Sequence, residues 1–534
     1  MPEGSQSLRV LVAEPLAEEG IEALREHAEV DVRPGIERAE LLDVIGDYDA
    51  LIVRSATQVD AEVILKGKRL QVIGRAGIGT DNIDVEAATK KGVVVVNAPQ
   101  SNILSAAEHT MALLLSLARQ IPAADASTRS GGWERSRFTG VELHGKTLGI
   151  LGLGRIGTLV AQRASAFGMR VMASDPYVSK ARAQQMGIEL AASLDELLSQ
   201  ADFITIHLPK TSETKAILGD EQFQKMKPGV RLVNAARGGL VDEEALFRAL
   251  KDGRVAGAAM DVFDKEPPVD SPLLALETVI ATPHLGASTQ EAQTKAGTSI
   301  AEQVLLALRG EFAPYAVNIQ GGAEYVEMLR PFIPLSEKLG RILTAIAGAG
   351  MSALDFEYHG TLAEQNTQIL TLAGLKGAFM DVVHEPVTYV NAPLVAQTRG
   401  IELKETKTSV SKDFVNLVLL RAHTDEGRVA VAGSLVGKRD QERIVRVFDY
   451  EIDMQPDRYM CFLRYSDVPG VIGKVGSVLG TAGINIASMQ VSRENIGGEA
   501  LMGLTVDSPI PADALKGIGE AISARDVRFI DLGA

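Results

Sequence analysis

An arginine, a glutamate and a histidine stand near the ends of short apolar runs in the middle of the chain. They are Arg237 in Ala-Arg-Gly-Gly-Leu-Val-Asp, Glu266 in Lys-Glu-Pro-Pro and His284 in Pro-His-Leu-Gly. Moving a hydride from an alcohol carbon also requires a group that takes the hydroxyl proton, and the ordinary pKa of histidine suits that task. A carboxylate beside the imidazole stabilises its protonated form and fixes its tautomer. An arginine clamps a substrate carboxylate through paired hydrogen bonds.

Upstream of this set, Thr147 to Leu151 reads as a strand buried on both faces. Gly152, Gly154 and Gly157 follow at G-x-G-x-x-G spacing and open an amphipathic helix from 155 to about 167. A second strand, 170–174, ends at Asp175. Gly152 allows the tight turn, Gly154 lets backbone approach a pyrophosphate, and Gly157 lets helix and strand pack closely. The helix N-terminus offers free N–H groups and a positive dipole end to phosphates. Asp175, placed to meet the ribose hydroxyls, favours NAD over a 2′-phosphorylated cofactor.

Two further arginines end strands in the first hundred residues: Arg54 after 49–53, and Arg75 after 70–74. In an open parallel sheet the carboxyl ends of strands face the ligand crevice, so the pair favours an anion site. These runs belong to an alternation of strands (near 8–13, 28–32, 49–53, 70–74 and 93–97) with helices (near 17–27, 37–45, 60–66 and 84–91), which predicts a parallel sheet. A long helix, about 101–119, leads into a second domain. Its strands near 202–207, 230–235, 256–261 and 278–282 mostly end in polar signals. Trp133, the only tryptophan, is expected to anchor packing. A helix over 289–309 leads back to Asn318, so the nucleotide unit is inserted into the first domain.

Gly321-Gly322 reads as a linker. Beyond it lie strand-like runs at 353–359, 414–422, 428–433 and 444–452, with Lys438, Arg439, Arg443 and Arg446 read as a solvated basic face. Residues 456–534 follow a β-α-β-β-α-β order, the ferredoxin-like split unit. The expected fold is α/β: two doubly wound parallel-sheet domains, a Rossmann nucleotide domain inserted in a flavodoxin-like substrate domain, then an α+β intervening domain and a ferredoxin-like terminal domain. The expected boundaries are 1–100, 101–288, 289–320, 321–455 and 456–534.

The stretches Gly152-Leu-Gly-Arg-Ile-Gly, Ala236-Arg-Gly-Gly-Leu-Val-Asp-Glu, Asp261-Val-Phe-Asp-Lys-Glu-Pro-Pro and Pro283-His-Leu-Gly-Ala-Ser-Thr resemble the D-2-hydroxyacid dehydrogenases. Arg54-Ser-Ala-Thr, Gly74-Arg-Ala-Gly-Ile-Gly-Thr-Asp-Asn and the C-terminal extension are similar to the long members of that family, which carry an intervening domain and a terminal ACT domain. The resemblance implies oxidation of 3-phosphoglycerate to 3-phosphohydroxypyruvate with NAD, opening serine biosynthesis. It implies His284 as acid/base, Glu266 as its partner and Arg237 as carboxylate clamp. Asp261 would hold the nicotinamide amide, and Arg155 and Ile156 would present N–H groups to the pyrophosphate. His207 and Pro209 would line the adenosine side, with Ala235 and Gly286 also at the cofactor. Arg54, Ser55, Arg75, Gly77, Ile78 and Asn102 would meet substrate, and Arg135 would reach the partner subunit's site. In the ACT unit, Tyr465, Asp467 and Asn485 would receive L-serine as a feedback effector, in a homodimer or homotetramer. Two other readings stay open: a glycerate or hydroxypyruvate reductase of the same family, and a cofactor-sensing corepressor on the same scaffold.

At 534 residues the chain has length for three or four domains. A formal charge of −15 argues against nucleic acid or an anionic membrane as partner. The single cysteine, Cys461, excludes an intrachain disulfide framework and fits a reducing compartment. The N-terminal Met-Pro-Glu-Gly-Ser lacks a signal-peptide pattern, and the apolar run 111–118 is too short to span a bilayer. A cytoplasmic protein without a metal is expected.

Overall fold

The structure is a computed structural model that describes residues 7–319, 327–348, 350–383, 386–425, 427–493 and 495–533. The expected Gly321-Gly322 linker and the N-terminal Met-Pro-Glu-Gly-Ser lie outside the described residues. The first sheet is parallel, in the order Glu29–Val32, Arg9–Val12, Ala50–Val53, Val72–Arg75, Val94–Asn97. Its central strands are runs of Val, Ile, Leu and Ala buried on both faces, as a sheet covered by helices on each side requires. Strand order reverses at Arg9–Val12 and Ala50–Val53, which opens a crevice at their carboxyl ends.

The second sheet is also parallel and has seven strands. Its centre, Thr147–Leu151, pairs with Arg170–Ser174 on one side and Phe203–Ile206 on the other, again a point where strand order reverses. Val230–Asn234, Val255–Met260 and Val279–Ala281 continue the sheet beyond Phe203–Ile206. Helix Ile103–Arg119 covers this sheet with an apolar face that includes Ala107, Met111, Leu114 and Leu117.

Helix Gln290–Leu308 returns the chain to the first sheet. A Cβ at Gly74 would stand 2.8 Å from Val304, so this strand accepts the helix only where it lacks a side chain. Asn318 secures the return: its Oδ1 accepts the Val95 N–H at 2.9 Å and its Nδ2 donates to the Val93 carbonyl at 2.9 Å.

The third sheet is mixed, with six strands from Met351–Gly360 to Tyr450–Met454, and helices Phe332–Ala347 and Gln368–Met380 supply much of its apolar packing. The fourth is antiparallel, in the order Ile486–Arg493, Glu499–Val506, Tyr459–Ser466, Asp526–Asp531. Alternate residues of Tyr459–Ser466 divide between two cores. Cys461, Leu463 and Tyr465 pack on this unit's own helices, while Met460 and Phe462 join the core that contains Ile452 and Met454.

Several local expectations give way. The expected single run 444–452 is a hairpin of Gln441–Val447 and Tyr450–Met454, turning at Phe448 with φ 53°. Strand Glu402–Thr408 was not signalled, because its residues are charged or polar except Leu403 and it lies at an exposed edge. Helix Ile121–Arg129 was not signalled either, having no buried residue to impose a period. Trp133 is 80% exposed and anchors nothing within this chain. Among the described residues no helix is long and apolar enough to cross a membrane, and no cluster of metal-ligating side chains occurs.

Candidate active site

Three loops at the carboxyl ends of the second sheet bring Arg237, Glu266 and His284 towards the cleft. Glu266 Oε1 accepts the Phe263 N–H at 3.1 Å, and Oε2 lies 2.9 Å from His284 Nδ1. A carboxylate only accepts, so Nδ1 carries the hydrogen and Nε2 is the nitrogen left for exchange with substrate. Burial alone would raise the Glu266 pKa. The hydrogen bonds from His284 and the Phe263 N–H and the attraction of the imidazole outweigh it and hold the carboxyl below its ordinary value.

Arg237 follows strand Val230–Asn234. Buried Asn234 shapes its turn, donating to the Arg237 carbonyl at 3.1 Å and accepting the Ala236 N–H at 3.1 Å. A Cβ at Gly238 would strike the Phe263 carbonyl, so the Arg237 turn and the loop leading to Glu266 pack backbone to backbone. The Arg237 guanidinium points to the other domain, with Nε 3.8 Å from Asp81.

Arg54 and Arg75 approach from the first sheet. Glu14, at the end of the neighbouring strand, accepts the N–H groups of Arg54 at 2.9 Å, Thr57 at 2.9 Å and Ala56 at 3.2 Å. Asn82 donates to the carbonyls of Arg54 and Thr57. The side chain of Arg75 is largely buried. Burial first, then repulsion from Arg237 and Arg54 against the attraction of Asp81 and Glu14, lowers its pKa to about 10, so it remains cationic at neutral pH. Its Nε and the Oδ1 of Asn102 are buried without a hydrogen-bond partner. A cavity of about 100 Å³ lies here, lined by Arg54, Gly77, Ser101, Asn102, Ala287 and Gln293. Asn97 donates to the Ile78 carbonyl at 2.6 Å and holds the Gly77–Ile78 turn, while Ser55 is exposed beside Arg54. Arg135 is exposed in the segment after helix Ile121–Arg129, away from these contacts.

The glycine turn fits a dinucleotide. Gly152 has φ +93°, and a Cβ there would stand 2.7 Å from the His207 carbonyl. A Cβ at Gly157 would strike the Gly152 carbonyl, whereas one at Gly154 would meet nothing within 4 Å. The turn is therefore packed on two sides and open on the third. Helix Arg155–Ala166 makes its first bond from Thr158 N–H to the Gly154 carbonyl, leaving the N–H groups of Arg155, Ile156 and Gly157 to a ligand or solvent. Asp175 braces the turn by accepting the Leu153 N–H at 2.8 Å and the Tyr177 N–H at 2.9 Å, and each oxygen retains capacity for a ribose hydroxyl. Burial lowers the His207 pKa to about 4, so it is neutral at physiological pH, and its Nε2 lies 3.1 Å from Thr205 Oγ1. Pro209 opens the loop that follows, and its carbonyl accepts from Thr214. Ala235 lines the sheet edge, with its carbonyl 3.9 Å from where a Gly286 Cβ would be.

Asp261 is buried at the end of its strand. Its side chain is 0% exposed and both oxygens serve the protein. Oδ1 accepts from Thr282 Oγ1 at 2.6 Å and the Leu285 N–H at 2.7 Å, and Oδ2 accepts the Gly286 N–H at 2.9 Å. The carboxylate anchors the loop carrying His284, and Oδ2, with one donor, retains capacity for a further one. In the terminal unit, Tyr465 is 3% exposed and packs in the helix-side core. Asp467 accepts from Arg493 at 2.7 Å, and Asn485, beyond the end of helix Val471–Thr481, donates to Asp507 at 2.7 Å.

Residues 111–286 match the D-isomer specific 2-hydroxyacid dehydrogenase NAD-binding domain, 328–448 the D-3-phosphoglycerate dehydrogenase intervening domain, and 459–519 the ACT domain. A D-3-phosphoglycerate dehydrogenase of Methanocaldococcus jannaschii is 45% identical over 98% of this chain and 100% of the relative. The Mycobacterium tuberculosis protein of that name is 48% identical over 98% of this chain and 99% of its own. Among solved structures, the TT0316 protein of Thermus thermophilus shares 38% identity with a TM-score of 0.55, covering 58% of this chain and all of that one. The D-lactate dehydrogenase of Aquifex aeolicus, complexed with NAD and lactic acid, shares 28% identity with a TM-score of 0.51, covering 57% of this chain and 96% of that one. With an NAD-binding domain, a hydrogen-bonded histidine–glutamate pair and both C-terminal modules in one polypeptide, the chain belongs to the D-3-phosphoglycerate dehydrogenase family.

Proposed function

We propose that this chain oxidises 3-phospho-D-glycerate to 3-phosphohydroxypyruvate. The observation that carries the substrate is the convergence of Arg54, Arg75 and Arg237 on one cleft, with the buried Nε of Arg75 unpartnered. Three guanidiniums, with the exposed acid Asp81 beside Arg237, suit a ligand with a carboxylate and a nearly doubly charged phosphate. D-Glycerate or D-lactate would leave part of that charge unmatched.

The 152–157 turn would hold NAD, which would supply the hydride acceptor. Arg237 clamps the substrate carboxylate, and Arg54 and Arg75 hold the phosphate. His284 Nε2 takes the hydroxyl proton as the C2 hydride departs, leaving a carbonyl at C2. Glu266 stabilises the imidazolium so formed. Asp175 selects NAD by accepting from both ribose hydroxyls and repelling a 2′-phosphate.

The terminal unit serves as a receptor for L-serine at Asp467 and Asn485 between paired subunits, in a cytoplasmic homo-oligomer. Functional units follow the four sheets, with 289–320 completing the substrate-binding one. The test is NADH production by the purified chain, comparing 3-phosphoglycerate with D-glycerate and D-lactate. A strong preference for the phosphorylated acid is expected. Equal or greater efficiency on D-glycerate would instead indicate the reductase reading.

A further inference from the structure

His109 stands on helix Ile103–Arg119, and the mechanism above gives it no task. Its Nε2 lies 3.1 Å from Asp261 Oδ1 and 3.4 Å from Thr282 Oγ1, with the side chain 19% exposed. Because the carboxylate only accepts, His109 carries a hydrogen on Nε2 and donates it.

Asp261 is a hub for the segment around His284. One carboxylate oxygen takes the Thr282 hydroxyl and the Leu285 N–H as well as His109, and the other takes the Gly286 N–H. The Asp261 carbonyl accepts the His284 N–H at 2.9 Å. His284 itself has φ 55°, a left-handed conformation that a residue with a Cβ keeps only when its surroundings impose it. Of the side-chain and backbone donors to this carboxylate, Thr282, Leu285 and Gly286 belong to the loop being held. His109 alone comes from a different element, and that element begins next to Asn102, which lines the cavity beside Arg54 and whose Oδ1 is buried without a partner.

We propose that His109 is a positioning residue: through Asp261 it anchors the 282–286 loop in the backbone shape that presents His284, and ties that presentation to the helix beginning at the cavity-lining Asn102. The inference rests on the reading of His284 as the proton carrier. An imidazole displaced by a fraction of an ångström meets the hydroxyl proton poorly, although both substrates still bind.

The experiment compares the full-length wild type with His109→Gln and His109→Leu, using 3-phosphoglycerate and NAD. Glutamine places an amide N–H at about the reach of Nε2, whereas leucine fills similar space without a donor. The leucine variant should lose about tenfold to a hundredfold in kcat while the KM for each substrate stays within about twofold, the pattern of lost orientation rather than lost binding. The glutamine variant should recover most of the loss. Wild-type kcat in the leucine variant would overturn the proposal, as would equal losses in both variants, since a donor would then not be what matters. If the leucine variant does not fold, His109→Asn replaces it: polar, but too short to reach Asp261, and expected to lose the same kcat. A wild type inactive on every 2-hydroxyacid tried would overturn the reading of His284 first. An active wild type with an unaffected leucine variant would overturn only the role of His109.

Discussion

His284 and Glu266 meet through Nδ1 and Oε2 at 2.9 Å, and their removal should be felt differently. Loss of the proton carrier strikes the chemical step, so His284→Ala should lower kcat by about two to four orders of magnitude. Stopped-flow NADH formation under saturating substrate would read this. Glu266 also links pH to stability. Its native pKa lies below its ordinary 4.5, so the pair's contribution is complete above that value and disappears as pH falls through the lower native value. Thermal melts across about pH 6 to 3 should therefore show a shallower acid loss in Glu266→Gln than in wild type. Parallel curves would remove the pair from the stability balance. At this scale the candidate residues were legible because they end strands or stand in the loops just after them, where a parallel sheet opens to ligand. Their supports were not. Glu14 lies forty residues before Arg54, and His109 lies far before Asp261 on a helix that reads as pure packing. Spacing along a chain does not reveal which strand ends the topology makes adjacent. Asp261 adds a function its strand-end position did not announce, since four donors within the protein make it a hub for the 282–286 loop.

Among the elements, the glycine turn separates folding from binding. At Gly157 a Cβ would strike the Gly152 carbonyl, so Gly157→Ala should destabilise the fold by about 1–3 kcal/mol, as overpacking does. At Gly154 the space is open, so Gly154→Ala should melt like wild type yet bind NAD about tenfold or more weakly, a loss of about 1.4 kcal/mol. Melting curves and fluorescence titration with NADH distinguish the two, and a destabilised Gly154→Ala would contradict the open cradle. The parallel strands were readable because burial on both faces leaves unbroken apolar runs such as Ala50–Val53. Glu402–Thr408 was not, because an edge strand exposed on both faces, with charges of both signs, carries no apolar signal. The hairpin at Phe448 was missed because its turn uses a left-handed phenylalanine, a choice no turn preference anticipates.

Across the whole molecule, the terminal unit docks on the intervening one through a shared apolar core and through polar contacts at its last strand. Arg341, mostly buried, donates to the carbonyls of Asp531 and Leu532 and pairs with Asp381 at 2.8 Å. Arg341→Ala leaves those carbonyls without a donor, and should lower the stability of the docked unit by about 1–3 kcal/mol while leaving kcat intact. Limited proteolysis releasing a fragment near residues 456–534 faster than from wild type would show it; unchanged cleavage would place the docking energy in the apolar contact of Met460 and Phe462 with Ile452 and Met454. The order of modules was legible because each has its own rhythm of strands and helices. How they dock was not: Met460 and Phe462 alternate with Cys461 and Leu463 in one apolar strand, and nothing in that run says which neighbour each face will meet.

The convergence of arginines is tested most directly by substrate discrimination in Arg75→Ala. The kcat/KM for 3-phosphoglycerate and for D-glycerate should be measured on wild type and variant at fixed, saturating NAD. If the buried guanidinium reads the phosphate through a charge-assisted hydrogen bond of about 1.5–3 kcal/mol, the ratio of the two efficiencies should fall by about tenfold to a hundredfold. A ratio unchanged from wild type, with both substrates weakened equally, would contradict a phosphate role for Arg75 and the substrate assignment built on it.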